Sequence, residues 1–480
     1  MIAALHRRFP YKWIALSTTS LAVLLVTVNQ GSLIIALPVI LRRLHTSLID
    51  VLWIVMVYLL ITTVFLIHFG RFGDLWGRKR LFNLGFWIFT AGSLLCGLAT
   101  SGGILIFYRV IQGVGGAIIF ANSTAIVTDA FPKGERGRAL GINSMVAAVG
   151  SIAGPILGGA LVAFLGWRWA FFFNVPLGVA GALWCQLSLR EMGKRDVSVD
   201  FDVAGTGLFL VGITALLLAM SFGGVAGWTS PAIIGLGGGG LILLALFLRL
   251  EQGARNPLLD LHLFRSRVFT MGNLSAFLNS VARMAVMFLL IFYYQGPRGD
   301  DPLTAAILLT PLAASLLLVA PVSGYLSDLY GSRGLSSLGL ALSAVGLAGL
   351  ALRIGAHTAY GEIVLWLILL GGGSGLFNSP NTAAVMGAVP PEKRGVGAGT
   401  RSMLTSAGMV ISLALALAFV TSAVPMSALM RIFVGQHVVT SSQALQGFLT
   451  GLRRAFWLSA AISGAAVWVS MSRGHTRPQH

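Results

Sequence analysis

A glycine-rich basic segment in the first quarter of the chain carries residues with clear chemical potential. It reads Gly70-Arg-Phe-Gly-Asp-Leu-Trp-Gly-Arg-Lys-Arg80. Its glycines, Gly70, Gly73 and Gly77, allow helices to approach closely and the chain to turn tightly. An acid such as Asp74 is favoured near a helix N-terminus, and Arg78 can pair with it. We interpret the segment, together with Lys79, as a charged latch between helix ends, with an ordinary basic turn as the alternative.

A second copy of this pattern indicates an internal repeat. The spacing recurs as Gly324-x-x-x-Asp328-x-x-Gly331, with Arg333 directly after it. Each copy follows an apolar block, so we expect two related halves with Asp328 and Arg333 in the second latch. Repeated halves with a site between them near the membrane midplane are typical of secondary transporters.

Two arginines lie inside apolar blocks. Arg109 and Arg283 would each cost about 2.5–3.5 kcal/mol at the centre of a membrane helix, and such residues usually face a cavity or another polar group. For Arg109 we consider a proton relay or a contact with an anionic substrate, or else a structural tie to backbone carbonyls of the first span. Arg283 reaches either the cavity or the outer headgroups. With Arg109 and Arg283 we group Asn29 and Gln112 as predicted cavity residues.

A row of small residues in the fifth apolar block predicts a packing surface. Gly150, Gly154 and Gly158 recur at helical spacing, and Pro155 removes one backbone hydrogen bond and bends the helix. We interpret these four residues as a hinge and packing face without acid-base chemistry.

Composition shows which elements must position these residues. Of 480 residues, 56% are hydrophobic and 10% are charged, against about 25% charged in a soluble domain. The apolar residues form blocks long enough to cross a bilayer, so a soluble globule is excluded. The net charge of +18 arises from short clusters between these blocks, which does not resemble a nucleic-acid site. The fold class is therefore an all-α polytopic membrane protein, and the predicted spans are 13–38, 51–70, 81–100, 104–128, 141–164, 170–189, 203–222, 231–249, 268–294, 303–326, 335–353, 363–388, 396–420 and 455–472.

Basic loops predict the orientation. Most Lys and Arg residues outside the spans fall on the side that holds the N-terminus, so both termini are expected inside the cell. We divide the chain into a six-helix half at 1–190, an inserted helix pair at 191–265 and a second six-helix half at 266–480. The remaining outer loop, 421–454, is expected on the surface. Cys96 and Cys185 approach opposite membrane faces, so no disulfide is expected.

The motifs together resemble the major facilitator superfamily. Its signature between spans two and three has the pattern at Gly70–Arg80, its second motif is similar to the segment around Arg109, Gln112 and Gly113, and its antiporter motif is similar to that around Pro155. The fourteen-span count resembles the drug:proton antiporter branch. This resemblance implies a 6+2+6 helix arrangement, alternating access, a cytoplasmic gate at the two latches, proton coupling and a monomer.

Acidic residues depart from the pattern of that branch. An Asp normally lies in span one, nine residues before the proline that is Pro38 here, and this chain has Asn29. All 15 acids lie in loops or near span ends. A buried carboxylate is the simplest device for binding a cation and exchanging it for a proton. We therefore expect lipophilic neutral or anionic substrates, with any coupled proton carried by Asp50, Asp129, Glu362 or His68.

The predicted function is export of such compounds by a secondary transporter in the cell membrane. A lipid or glycolipid exporter of the same fold is an alternative, and a membrane scaffold or lipid-modifying enzyme is another. No phosphate-binding loop, metalloprotease motif or serine-hydrolase motif is present in the sequence. We expect no enzyme activity, cofactor, metal site or nucleic-acid partner.

Overall fold

The computed structural model describes residues 10–132, 135–191, 202–253, 259–356, 358–390, 394–423 and 442–474. Within these ranges the chain is helical and contains no strand, which confirms the all-α class. Thirteen helices are long and apolar enough to cross a membrane, and a further long helix lies where the last span is predicted. The helices are α1 (Tyr11–Arg43), α2 (Leu48–Trp76), α3 (Arg78–Leu98), α4 (Gly102–Ala130), α5 (Arg136–Leu165), α6 (Trp169–Phe172 and Asn174–Ser188), α7 (Val203–Ala226), α8 (Pro231–Glu251), α9 (Arg267–Gln295), α10 (Pro302–Tyr330), α11 (Ser332–Arg353), α12 (Tyr360–Gly387), α13 (Arg394–Ala423) and α14 (Ser442–Met471).

The last helix begins earlier than its apolar block. The expected start at residue 455 is wrong, since α14 begins at Ser442. Arg453 interrupts the apolar pattern, yet its Nε donates to the Ile354 carbonyl at 2.9 Å. The expected surface segment 421–454 therefore shares its end with α14, and residues 424–441 lie outside the described part of the chain.

Local signals set several helix boundaries. Ser47 and Asp50 form a capping box at the start of α2, in which each side chain accepts from the other's backbone N–H. Gly77 lies between α2 and α3 with φ of +106°, a conformation that glycine adopts without steric cost. The chain can thus reverse within one residue there.

The chain divides into two compact units. The first contains Met1–Phe201 with Pro302–Ala306, and the second contains Asp202–Asp301 with Ile307–His480. Within the first unit α1 packs on α5, and α4 packs on α2 and α3. Within the second unit α11 packs on α12 and α14, and α9 packs on α13 and α14.

The helix pair α7 and α8 belongs to the second unit. These two helices pack on each other, and α7 also packs on α13. The outer face of α8 is open, because a Cβ added at Gly235, Gly238 or Gly239 would meet no other atom within 4 Å. Ile242 on the same helix is 63% exposed, as suits a side chain that faces lipid.

Candidate functional site

A buried polar cluster lies inside the first unit, among α1, α3, α4 and α6. Gln112 Nε2 donates to Ser93 Oγ at 2.7 Å and to Asn29 Oδ1 at 3.3 Å. Asn174 Nδ2 donates to the same Asn29 oxygen at 2.9 Å. The predicted residues Asn29, Arg109 and Gln112 are all brought together here, because Arg109 Nη1 donates to Gln112 Oε1. Asn174 and Ser93 join them and were not predicted.

Arg109 is tied to α2. Its side chain is 1% exposed, its Nε donates to the Ile54 carbonyl at 3.0 Å, and its guanidinium lies 4.1 Å from the ring centroid of Tyr58. The backbone tie considered from the sequence therefore exists, but to the second span and not to the first. Cation–π contact and a carbonyl acceptor replace part of the hydration that the guanidinium loses on burial.

Asn29 gives this centre its chemical character. Two amide donors point at its Oδ1, while its own Nδ2 and the Oδ1 of Asn174 are buried without a hydrogen-bond partner among the described residues. Unpaired buried amide groups are costly and are free to bind a polar group. The centre can therefore recognise neutral donors and acceptors, and its one formal charge is positive.

The first latch connects α3 with α4. Arg78 forms an ion pair with Asp129 and donates to the Ala125 carbonyl at 3.3 Å. The predicted partner Asp74 has its side chain outside the described residues, as does Asp328 in the second copy. The described counterion of Arg78 thus comes from the end of α4, a residue that sequence reasoning considered only for proton coupling.

The latch glycines differ in their surroundings. A Cβ at Gly73 would clash with Asn122 Oδ1, whereas one at Gly70 would meet nothing within 4 Å. Gly77 has the positive φ already described. Close packing against Asn122 therefore explains the glycine at position 73, and the positive φ explains the glycine at position 77.

Glu191, three residues beyond the end of α6, was missed by sequence reasoning. Its carboxylate accepts from the backbone N–H of Lys79 and of Arg80, each at 3.2 Å. A carboxylate at a helix N-terminus is favoured by the macrodipole. Its position just past the predicted sixth span is the sequence feature that could have identified it as a residue at the membrane face.

The second latch is built differently. Gly331 precedes α11 with φ of +83°, and Ser332 and Arg333 open that helix. Arg473, beyond α14, is fully buried beside them. No role was predicted for Arg473 from the sequence.

Arg283 lies in the interior of α9, in the second unit, and is partly exposed. No hydrogen bond or ion pair joins its guanidinium to any residue in the described ranges.

The predicted hinge residues pack against α1. A Cβ at Gly154 would lie 2.9 Å from the Val28 carbonyl oxygen, and the Pro155 ring lies where a Cβ of Gly31 would fall. Gly150 and Gly158 would clash with Thr27 and Ser32 in the same way. The structure thus places all four predicted residues on one face against the first helix.

Every acid in the described ranges lies in a loop or within about one turn of a helix end. His68 Nδ1 is 3.3 Å from the Val64 carbonyl of its own helix.

In the loop after α9, burial raises the pKa of Asp300, an effect that Arg298 partly offsets. Asp300 was not among the predicted proton carriers, because nothing in the sequence shows that it is partly buried. The described residues contain no metal-binding group.

Sequence comparison shows which family of proteins this chain resembles. A sequence profile of the Major Facilitator Superfamily matches residues 19–202, 203–412 and 272–479. The chain is 30% identical to the riboflavin transporter RibZ of Clostridioides difficile (strain 630), over 94% of this chain and 95% of that one. It is 33% identical to the multidrug resistance protein Stp of Mycobacterium tuberculosis (strain ATCC 25618 / H37Rv), over 84% of this chain and 74% of that one.

A further relative and a solved structure agree. The tetracenomycin C resistance and export protein of Streptomyces glaucescens is 31% identical over 82% of this chain and 73% of its own. The crystal structure of a bacterial homologue of the human lysosomal transporter Spinster, inward-facing and unoccupied, has 18% identity and a TM-score of 0.69, covering 97% of both chains. The chain therefore belongs to the major facilitator superfamily and is an integral transport protein of the plasma membrane.

Proposed function

We propose that this protein exports lipophilic neutral or anionic compounds by alternating access, driven by the proton gradient. One observation carries the choice of substrate. The buried centre of the first unit holds Arg109 and three amide side chains, and every carboxylate of the described residues lies in a loop or within about one turn of a helix end.

The electrostatic argument is direct. A cation in a low-dielectric site gains several kcal/mol from a nearby carboxylate and loses a comparable amount from a nearby guanidinium. Arg109 has no carboxylate partner among the described residues, so the centre disfavours cations. An anion or a neutral hydrogen-bonding molecule meets no such penalty.

Relatives support small organic cargo. Those named above are described as transporters or resistance proteins for riboflavin, drugs and tetracenomycin C. A lipid or glycolipid cargo fits an acid-free centre equally well, but none of these names indicates it. Small lipophilic compounds are therefore the better proposal.

Proton coupling requires a group that titrates during the cycle. Asp129 is held by Arg78, and Asp50 is engaged in the capping box of α2. Asp300 also has an arginine partner, Arg298 at 3.5 Å, but burial outweighs that partner and its pKa is raised, so it retains a proton at higher pH than an exposed Asp does. We therefore add Asp300 to the candidate proton carriers at the outer end of the second unit.

Transport by purified protein in liposomes tests the proposal. Riboflavin serves as the uncharged probe, fluorescein as the anion and ethidium as the cation, with and without an imposed pH gradient. We expect gradient-driven movement of the first two and at least about tenfold less of ethidium. Carriage of ethidium in preference to both others would overturn the proposal.

Two substitutions of Arg109 distinguish a substrate contact from a packing role. Arg109→Gln removes the charge, and Arg109→Lys keeps it but cannot donate to Ile54 and Gln112 in the same fork geometry. Selective loss of fluorescein transport in Arg109→Gln indicates a substrate contact. Equal loss of all transport in both variants would show that Arg109 serves packing.

A further inference from the structure

In each predicted six-helix half, α1–α6 and α9–α14, a residue two or three positions beyond the last helix reaches the start of the third helix. In the first unit α6 ends at Ser188, and Glu191 reaches α3. In the second unit α14 ends at Met471, and Arg473 reaches α11. The contacts correspond in position, but the two side chains carry opposite charges.

The first contact is favourable in both hydrogen bonding and charge. The first turn of α3 has no capping side chain of its own, because its N-cap residue is Gly77. Glu191 instead accepts from Lys79 N and Arg80 N, two of the donors that every helix N-terminus leaves unpaired. A Cβ at Gly77 would lie 2.7 Å from Glu191 Cδ, so glycine at this position leaves room for the carboxylate.

The segment that carries Glu191 is itself fixed. The Tyr11 hydroxyl donates to the Arg190 carbonyl at 3.4 Å and accepts from Arg190 N at 3.2 Å. The guanidinium of Arg190 also lies 5.3 Å from the Tyr11 ring centroid. The start of α1, the end of α6 and the first turn of α3 are therefore joined.

The second contact joins three helices through one side chain. Arg473 Nη1 donates to Asn381 Oδ1 at 2.7 Å, and its Nη2 lies 3.4 Å from Ser336 Oγ and 3.5 Å from Ser332 Oγ. Asn381 Nδ2 in turn donates to the Gly272 carbonyl of α9 at 3.0 Å. The end of α14 is thereby held against α11, α12 and, through Asn381, α9.

The charge of Arg473 opposes its position. A helix N-terminus carries a partial positive charge, which repels a cation. Burial and the neighbouring Arg333 lower the pKa of Arg473 to about 10, so it stays a cation at neutral pH. Its Nε is buried without a partner among the described residues. The hydrogen bonds of Arg473 must therefore offset both the helix charge and an unpaired donor.

We propose that Glu191 and Arg473 are positioning residues that hold the two Gly-x-x-x-Asp-x-x-Gly latches, Glu191 firmly and Arg473 releasably. The difference follows from charge, since the helix N-terminus attracts the first side chain and repels the second. In a transport cycle the second latch is then the one that opens at lower cost. Only this last step rests on the proposed function.

Hydrogen–deuterium exchange on the full-length protein tests the contacts without any substrate. We expect Glu191→Gln to speed exchange in the first turn of α3, and Arg473→Gln to speed it in the first turn of α11, each at least about threefold. Wild-type exchange should already be faster at α11 than at α3. Equal wild-type exchange at the two turns, or variants without local effect, would overturn the proposal.

Transport kinetics separate positioning from a merely structural role. Per folded molecule, we expect both variants to change the maximal rate at least about threefold while the KM for riboflavin stays within about twofold. The matched control for Arg473 is Arg454→Gln, which removes the same charge at an exposed site. Glu135→Gln removes the charge of a half-exposed Glu that pairs with Lys12 away from α3, and it shows what loss of an ordinary surface ion pair does. Lower thermal stability with unchanged turnover of the folded protein would show a structural role only.

Arg473→Lys adds a pH readout. Lysine keeps the charge, and its ordinary pKa is about 10.4, so the same burial brings it closer to neutrality than arginine. The sign follows from the helix charge: at pH 6.5 the variant is charged and repelled as arginine is, and as rising pH removes the proton that repulsion is lost, so exchange in the first turn of α11 should slow relative to the wild type. A variant that behaves identically at pH 6.5 and 8.5 would contradict a role for the charge.

Discussion

A buried arginine without a carboxylate defines the polar centre at the residue scale. Arg109 uses a carbonyl oxygen, an amide oxygen and an aromatic face where other proteins use an acid. Such neutral partners compensate the lost hydration only in part, and they leave the site with a positive potential. The proposed preference against cations therefore rests on two features of the described residues, the guanidinium of Arg109 and the lack of a carboxylate partner for it.

Replacing Asn29 with Asp tests this reasoning. Asn29→Asp would place a carboxylate oxygen where the Asn174 and Gln112 amides already donate, at 2.9 and 3.3 Å. We expect at least about fivefold greater ethidium transport together with a new pH dependence, because a buried carboxylate binds cations and titrates. The measurement is dye flux in liposomes between pH 5.5 and 8.5.

The matched control is Asn143→Asp. Asn143 is also buried in the first unit, but it bonds Ser20 and Ser123 outside the centre. It should not gain ethidium transport. An equal gain in both variants would show that any added acid suffices, which contradicts a specific role for position 29.

Helix packing explains the small-residue motif at the element scale. The glycines of α5 allow its backbone to contact that of α1. The motif therefore acts through close helix packing and not through acid-base chemistry. The first and fifth helices consequently form one tightly packed pair.

Gly154→Ala should destabilise this pair. The added methyl would lie 2.9 Å from a backbone oxygen that cannot rotate away, so we expect a loss of about 1–3 kcal/mol. The same change at Gly141 in α5 meets nothing within 4 Å and should be neutral or slightly stabilising. Thermal unfolding in detergent measures both, and equal shifts would exclude close packing as the cause.

The helices were predictable because apolar length and basic loops are read along the chain. Contacts between distant segments were not. Asn174 joins Asn29 only after α6 packs beside α1, and Glu191 reaches α3 from the far end of the first unit. The start of α14 was misplaced because Arg453 breaks the apolar pattern and is compensated by a distant carbonyl.

Membrane orientation belongs to the scale of the whole molecule. With both termini inside, a fluorescent protein fused after residue 480 should fold in the cytoplasm and fluoresce. A fusion truncated at residue 298, in the loop after α9, should be dark, because that loop is expected outside. Fluorescence of the truncated fusion together with a dark full-length one would reverse the predicted orientation.

The open face of α8 has a practical consequence. A Cβ at Gly235, Gly238 or Gly239 would meet no other atom within 4 Å, and α8 packs on α7 without forming part of the polar centre. A thiol-reactive dye or spin label attached there should leave both units undisturbed. This face therefore offers an anchoring point for distance measurements on the working protein in lipid.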